Sequence, residues 1–160
     1  MKRSSKALLA VSGLLILTAA AWTWLHRPQP SDREQILAQL EIGRAAVQNR
    51  LPSAVMKIVS ADYHDDNGTN VDRLHAEIIE ALRGEGALTV TLGPQTVTVT
   101  GDNATTTGTA TVTADGSART YSHIALSWKK EDVTRFLIVP AKEWHIVSSS
   151  IPGEGGTPDF

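Results

Sequence analysis

Residues 88–147 read LTVTLGPQTVTVTGDNATTTGTATVTADGSARTYSHIALSWKKEDVTRFLIVPAKEWHIV, and this stretch decides the fold. Apolar and polar residues alternate over most of it, beginning with Leu88, Val90 and Leu92 between threonines. A period of two is typical of a strand that buries one face. Gly-Asp-Asn at 101–103 and Asp-Gly at 115–116 interrupt the alternation with turn signals. The pattern therefore predicts antiparallel strands joined by tight turns.

The second half of this stretch predicts two further strands. Ile124, Leu126 and Trp128 alternate with smaller or polar residues, so their side of the strand is expected to face the interior. The charged run Lys129–Asp132 is expected to turn the chain, and the last strand is expected over Val133–Val147.

Three helical patterns precede the strands. Ser31 is followed three residues later by a glutamate, which is the spacing of a capping box, so the first helix is expected to start there. Pro52 ends this helix and can open a short second one. Thr69 or Asn70 caps a third helix, which Gly84 stops. The apolar stripe of the third helix comprises Val71, Leu74, His75, Ile78, Ile79 and Leu82.

Helices followed by antiparallel strands predict an α+β fold, with three N-terminal helices packed on one face of a strongly bent antiparallel sheet. The third helix has the most regular apolar stripe. In the closing Trp-x-Ile pattern, Trp144 and Ile146 are two residues apart in a strand, so both are expected to face the interior. The predicted core comprises Leu74, Ile78, Leu82, Leu126, Trp128, Trp144 and Ile146.

The N-terminus predicts a membrane anchor. Lys2, Arg3 and Lys6 precede an uncharged, mostly apolar segment, Ala7–Leu25. At about 1.5 Å per residue, a helix of this length approaches the roughly 30 Å thickness of the bilayer core. The basic residues are expected to hold the N-terminus in the cytoplasm and to place the following domain outside.

A cleavable signal peptide is the competing interpretation, because Ala19–Ala21 supplies small residues after an apolar run and would release a secreted protein. Trp22 and Trp24 extend the apolar run and put aromatic rings at the depth of the membrane interface. They favour an anchor that is not cleaved.

The expected organisation has five parts. They are a basic cytoplasmic N-terminus (1–6), the transmembrane helix (7–25), a proline-containing linker (26–31), the folded domain (32–147) and a disordered tail rich in Ser, Gly and Pro (148–160).

The composition excludes several classes of protein. The 160 residues contain no cysteine, which excludes a disulfide framework and a thiolate zinc site. The formal net charge is -2, but three of the 15 basic residues precede the apolar segment, so the remaining 12 basic and 17 acidic residues give -5. A surface for nucleic acid is not expected on an acidic domain.

Three short segments stand out: Asp62–Asp66 (DYHDD) ahead of the third helix, Val97–Thr105 (VTVTGDNAT) across the first turn, and Glu143–Ile146 (EWHI) in the last strand. Together with the order of the elements, they resemble the nuclear transport factor 2-like superfamily, which includes SnoaL-like and ketosteroid isomerase-like proteins. The resemblance covers residues 32–147 and implies a cone-shaped fold, often dimeric, with a pocket between helices and sheet. This superfamily contains enzymes, binding modules and scaffolds, so the resemblance does not decide function.

Five side chains are the candidates for a ligand pocket or an interface: Tyr63, His75, Tyr121, His123 and Trp128. His75 lies on the apolar face of the third helix, where a histidine belongs more often to the core or a pocket edge than to a ligand site. Tyr121 and His123 are two residues apart in one strand, so both are expected on its outer face. No catalytic residue is assigned, because the acid/base pair of the enzymes in this superfamily cannot be aligned with this chain.

Residues 62–67 hold the densest cluster of metal-ligand side chains. With Gly68 as the sixth loop residue, the EF-hand register puts Tyr63 first and Leu74 last, and neither carries a carboxylate. A solvated turn before a helix is therefore expected here, with no metal and no cofactor.

Two classes of function remain. The first is a membrane-anchored extracytoplasmic domain that binds or scaffolds without catalysis, and the second is a SnoaL-like or ketosteroid isomerase-like enzyme with a small apolar substrate. The lack of an assignable acid/base pair and the tether favour the first. The outer sheet face, with Thr107, Thr109, Thr111, Tyr121 and His123, can hydrogen-bond in a moderately polar interface, so a homodimer or a membrane protein partner is expected there.

Overall fold

The computed structural model describes residues 30–84, 86–135 and 139–151. Helix α1 (Asp32–Gln48) starts at the predicted capping box. The Ser31 hydroxyl accepts a hydrogen bond from the Glu34 amide at 3.3 Å, and the Glu34 carboxylate accepts one from the Ser31 amide at 2.7 Å. Each group thereby satisfies a backbone donor that the first helical turn leaves free.

Two short elements and a further helix follow. Helix α2 (Pro52–Val55) opens with its proline and continues into a 3-10 turn (Met56–Ile58). Helix α3 (Val71–Ala81) is capped by Asn70, whose side chain accepts a hydrogen bond from the Arg73 amide at 3.0 Å. The three predicted helices are confirmed.

Four antiparallel strands form one sheet in chain order: β1 (Leu88–Thr100), β2 (Asn103–Ala114), β3 (Ser117–Arg135) and β4 (Val139–Ser150). Asp115 and Gly116, which join β2 to β3, both have positive φ, at 51° and 81°. Two such residues make the turn whose twist matches a hairpin. The predicted antiparallel sheet is therefore confirmed.

The expected corner at Lys129–Asp132 is wrong, because β3 runs straight through these residues and pairs with β4. Lys130 pairs with Trp144, and its ammonium group donates a hydrogen bond to Asp32 at the start of α1. A charged run can continue a strand when the charged side chain that faces the helix is paired with a carboxylate, as Lys130 is with Asp32. The last strand accordingly starts at Val139, not Val133, and ends at Ser150. The predicted disordered tail (148–160) is therefore wrong for residues 148–150, and residues 152–160 lie outside the described residues.

The core lies between α1, the 3-10 turn and the sheet. Its buried residues are Ile36, Ile58, Tyr63, Ala104, Trp128, Trp144 and Ile146. Leu74 and Leu126 are half-buried against them. Ile78 and Leu82 are half-buried outside this cluster, so the predicted core is wrong for these two residues. Only the first part of α3, at Val71 and Leu74, reaches the cluster.

Both core tryptophans have a partner for the indole N–H group. Trp128 Nε1 donates to Thr106 Oγ1 at 3.1 Å, and Trp144 Nε1 donates to Asp32 Oδ1 at 3.2 Å. The hydrogen bond from Lys130 holds the pKa of Asp32 below its usual value, and the Trp144 bond acts in the same direction. Asp32 therefore stays ionised and ties α1 to the sheet.

Within the described residues, no helix is long and apolar enough to cross a membrane. The predicted anchor, Ala7–Leu25, lies outside the described residues.

Replacement of Trp144 by alanine is expected to lower the free energy of unfolding by about 3–5 kcal/mol, because the side chain is 1% exposed and large aromatic truncations in cores have this cost. Urea unfolding measures the loss. Ile42→Ala is the control: Ile42 is 51% exposed, so its change should stay within about 0.5 kcal/mol. A loss below about 1 kcal/mol for Trp144→Ala would show that Trp144 is not part of the core.

Candidate functional site

Two β-bulges bend the sheet at the level of Thr109. In β1, Gly93 and Pro94 together lie opposite Thr109, since the register shifts between Leu92 and Gln95. In β3, the two residues opposite Thr109 are Ser122 and His123. A bulge adds a residue to one strand, bends it and increases its twist. With one bulge on each side of β2, the sheet curves around the space beneath α1.

The β3 bulge changes which side chains share a face. His123 has a φ of 59° and is exposed, and Ile124 after it faces the interior. Tyr121 pairs directly with Ala110, and paired residues in an antiparallel ladder lie on the same side of the sheet. The expectation that Tyr121 shares the outer face with His123 is therefore wrong. That expectation requires unbroken alternation along β3, and the extra residue of the bulge reverses the alternation.

A cavity of about 210 Å³ lies between the helices and the bent sheet. The helical segments contribute Leu40, Val47, Val55 and Ile58, and the sheet contributes Leu92, Ala110, Ile124, Leu126 and Ile146. Gly43 sets the approach of the helical segments, because a Cβ atom there would lie 2.6 Å from Ile58 Cδ1. The described walls are predominantly apolar, which is typical of sites for small molecules.

Arg44 also lines the cavity, but its charge is compensated. Its Nε atom donates to both oxygens of the Glu41 carboxylate at 2.8 and 2.9 Å, and Nη1 donates to Gln48 Oε1 at 2.7 Å and to the Val90 carbonyl at 3.3 Å. This pairing raises the pKa of Arg44 and lowers that of Glu41. Arg44 therefore links α1 to β1 and is not a free cation for a ligand.

Gln95 contributes a side-chain amide to the cavity wall. Its Nε2 atom donates to the Gly93 and Thr109 carbonyls, each at 3.1 Å. The amide lies flat against Gly108, where any Cβ atom would overlap it. No described residue donates a hydrogen bond to Gln95 Oε1, so the amide oxygen is an acceptor available to a ligand.

None of the five residues predicted from the sequence is among the described residues that line this cavity. Tyr63 and Trp128 belong to the core, and the Tyr63 hydroxyl lies 2.8 Å from Ser149 Oγ. Burial raises the pKa of Tyr63, so its hydroxyl stays neutral. His75 and Tyr121 are half-buried, and the Arg119 guanidinium lies 5.1 Å from the centre of the Tyr121 ring.

Sequence reasoning missed the residues that shape the cavity, above all Gln95 and Gly108. Two signals were present. Gly93-Pro94 in the middle of a strand pattern is typical of a bulge, and Gly108 interrupts a row of threonines where another side chain or a ligand comes close.

A second polar cluster joins Ser60, Glu131 and His145. Ser60 Oγ donates to Glu131 Oε1 at 2.7 Å, and His145 Nδ1 lies 3.3 Å from Glu131 Oε2. The carboxylate thus separates the hydroxyl from the imidazole, whereas an activated serine needs contact with its base. Ser60 is also only 2% exposed. This cluster holds the segment after the 3-10 turn against the sheet and is not a nucleophilic site.

The acidic segment 62–67 forms a turn. Asp65 Oδ1 accepts hydrogen bonds from the Asn67 and Thr69 amides, each at 2.9 Å. Among the described residues, no group of three or more His, Asp or Glu side chains is arranged to hold a metal ion.

Comparisons with solved structures identify the fold. The TM-score is 0.62 for Bd1075 from Bdellovibrio bacteriovorus, at 10% identity over 74% of this chain and 40% of that one. It is 0.57 for an NTF2-like protein from Cytophaga hutchinsonii, at 14% identity over 76% and 98% of the two chains. For an NTF2-like superfamily protein from Salmonella enterica serovar Typhimurium it is 0.56, at 16% identity over 79% and 95%. This chain therefore spans less than half of Bd1075 but nearly the full length of the other two.

These structures show that the chain has the nuclear transport factor 2-like fold, as the sequence predicted. No protein-family model and no curated protein matches the sequence. Because this fold carries many functions, the site has to indicate what the protein does.

Gly93→Ala tests the packing at the bend, because a Cβ atom at position 93 would overlap Thr109 Oγ1. We expect a loss of about 1–3 kcal/mol in the free energy of unfolding, as for overpacking elsewhere. Thr109→Ala removes the oxygen, so Gly93→Ala in that background should cost little or stabilise slightly. Equal losses in both backgrounds, measured by urea unfolding, would show that the two residues are not in contact.

Proposed function

We propose that this protein is a membrane-anchored extracytoplasmic binding domain that holds a small, mostly apolar molecule in the cavity between helices and sheet, without catalysis. The observation that carries the proposal is the cavity of about 210 Å³, with its apolar walls and one accepting amide oxygen. An apolar cavity of about 150 Å³ is large enough for benzene. The cavity of this protein is larger and suits a compact molecule of roughly eight or nine non-hydrogen atoms.

The chemistry of the described walls supports binding over catalysis. A general base has to lie within about 3 Å of the proton that it removes. The described residues that line the cavity include no Asp, Glu, His, Lys or Tyr side chain. The carboxylate of Glu41 lies beside the cavity residue Arg44 but is hydrogen-bonded to it, and the lowered pKa of Glu41 makes it a weaker base.

Stabilisation of an oxyanion is also poorly supported. It needs hydrogen-bond donors directed at the developing charge. Both bonds from Gln95 Nε2 go to backbone carbonyls, and the Arg44 guanidinium is engaged with Glu41, Gln48 and Val90. The alternative function, an isomerase-like enzyme for a small apolar substrate, would need a general base, and the described lining residues include no Asp, Glu, His, Lys or Tyr.

Calorimetric titration of the full-length chain with indene, a compact apolar bicycle, tests the binding function. The chain is held in lipid nanodiscs, and a titration of empty nanodiscs is subtracted. We expect saturable binding to the wild type and its loss in Ala110→Phe, whose ring would occupy the cavity that Ala110 lines. Lys57→Leu is the control, since Lys57 is exposed and a leucine there adds apolar surface outside the cavity.

Ala110→Phe should remain folded, because the cavity has room for the added ring, and circular dichroism verifies this. The proposal would be contradicted if the wild type showed saturable binding of neither indene nor indole, its analogue with an N–H donor. Equal binding to the wild type and to folded Ala110→Phe would also contradict it, because the ligand would then lie elsewhere.

The second part of the proposal concerns the location of the protein in the cell. Lys2, Arg3 and Lys6 before an apolar segment, and Trp22 and Trp24 at its end, support an anchor that stays attached with the N-terminus in the cytoplasm. Mass spectrometry of the mature chain from membranes should therefore find residues 1–25 still present. A new N-terminus close to Trp22 would instead indicate a cleaved signal peptide and a secreted protein.

A further inference from the structure

We propose that Gln95 selects the chemical class of the ligand: a neutral molecule that donates one hydrogen bond from an otherwise apolar body. The inference rests on the proposed binding function and adds to it a preference between ligands that donate a hydrogen bond and ligands that do not. Molecules of the same shape that only accept hydrogen bonds, and anions, are disfavoured.

The orientation of the Gln95 amide is determined by its surroundings. The Gly93 and Thr109 carbonyls each lie 3.1 Å from Nε2. Carbonyl oxygens can only accept, so the nitrogen and not the oxygen of the amide must face them. Both carbonyls belong to the bulge region, where the register of β1 and β2 shifts and the ladder is interrupted. The bend of the sheet thereby holds the amide in one orientation.

The amide oxygen is consequently the group that meets the ligand. Both hydrogens of Nε2 are used by the two carbonyls, whereas Oε1 receives no hydrogen bond from a described residue. Gln95 and Gly108 both line the cavity, and the amide rests on Gly108 without an intervening side chain. A ligand that donates to Oε1 satisfies this acceptor, while a ligand without a donor leaves it desolvated and unpaired, which is unfavourable.

The charge balance of the wall disfavours anions. Arg44 is the cationic residue among the described lining residues, and its guanidinium is already paired with the Glu41 carboxylate. An anion in the cavity would lose its hydration without gaining a free cation, and it would meet the negative end of the Gln95 amide dipole. Neutral alcohols, phenols and N–H heterocycles fit these conditions, whereas carboxylates do not.

Indole and benzofuran form a matched pair of probes, since they have the same size and shape but only indole carries an N–H donor. Benzofuran is the less hydrated of the two, so without a specific hydrogen bond it should bind at least as tightly. Calorimetry of the full-length chain in nanodiscs, with empty nanodiscs subtracted, is expected to show indole binding about tenfold more tightly than benzofuran.

Phenylacetate should bind at least tenfold more weakly than the neutral 2-phenylethanol.

Two variants test whether Gln95 is the cause. Gln95→Leu removes the acceptor, so the ratio of indole to benzofuran affinity should fall to about one while benzofuran still binds. Retained benzofuran binding shows that the cavity has survived the loss of the Nε2 hydrogen bonds. Gly108→Ala leaves Gln95 in place but displaces its amide, so the ratio should fall here as well. Lys57→Leu should keep the wild-type ratio.

The outcomes separate the two proposals. If neither indole nor benzofuran binds to the wild type, the proposed binding function fails. If both bind equally, or benzofuran binds more tightly, the binding function stands and the role of Gln95 is overturned. A tenfold preference for indole that persists in folded Gln95→Leu overturns it too, because another group would then be the acceptor.

Discussion

The pair of bulges opposite Thr109 is the constraint on which the rest of the structure depends. A regular four-stranded antiparallel sheet twists but does not fold around a small space, whereas an extra residue on each side of β2 bends β1 and β3 at one level. The bend puts Ala110 and Tyr121 on the concave side and leaves His123 exposed. Without it, α1 would pack flat against the strands, as in an ordinary two-layer fold.

Polar contacts at the two ends of α1 hold the helix across this bent sheet. At its start, Asp32 accepts hydrogen bonds from Lys130 and Trp144. Near its end, Arg44 donates to the Val90 carbonyl and also to Gln48, which keeps the helix above β1. The apolar side chains between these contacts do not fill the space completely. A cavity between the helix and the sheet is the result.

The same bend determines how the Gln95 amide is oriented in the candidate site. The bulge interrupts the ladder between Leu92 and Gln95, and the Gln95 amide nitrogen donates hydrogen bonds to the Gly93 and Thr109 carbonyls. The amide oxygen of this lining residue then remains without a hydrogen bond from a described residue. Gln95 therefore has two roles. Its amide nitrogen binds backbone carbonyls at the bend, and its amide oxygen contributes to the chemistry of the cavity.

The sequence by itself determined the α+β fold, the start of α1 at its capping box, the start of α3 just after Thr69 or Asn70 and the burial of Trp128 and Trp144. These features depend on neighbours within a few residues or on simple alternation, which a sequence displays directly. The tertiary structure alone decided the course of β3 through Lys129–Asp132, the side on which Tyr121 lies and the residues that line the cavity. Each of these depends on a partner distant in the chain: Asp32 for Lys130, and Thr109 for the bulges on both neighbouring strands.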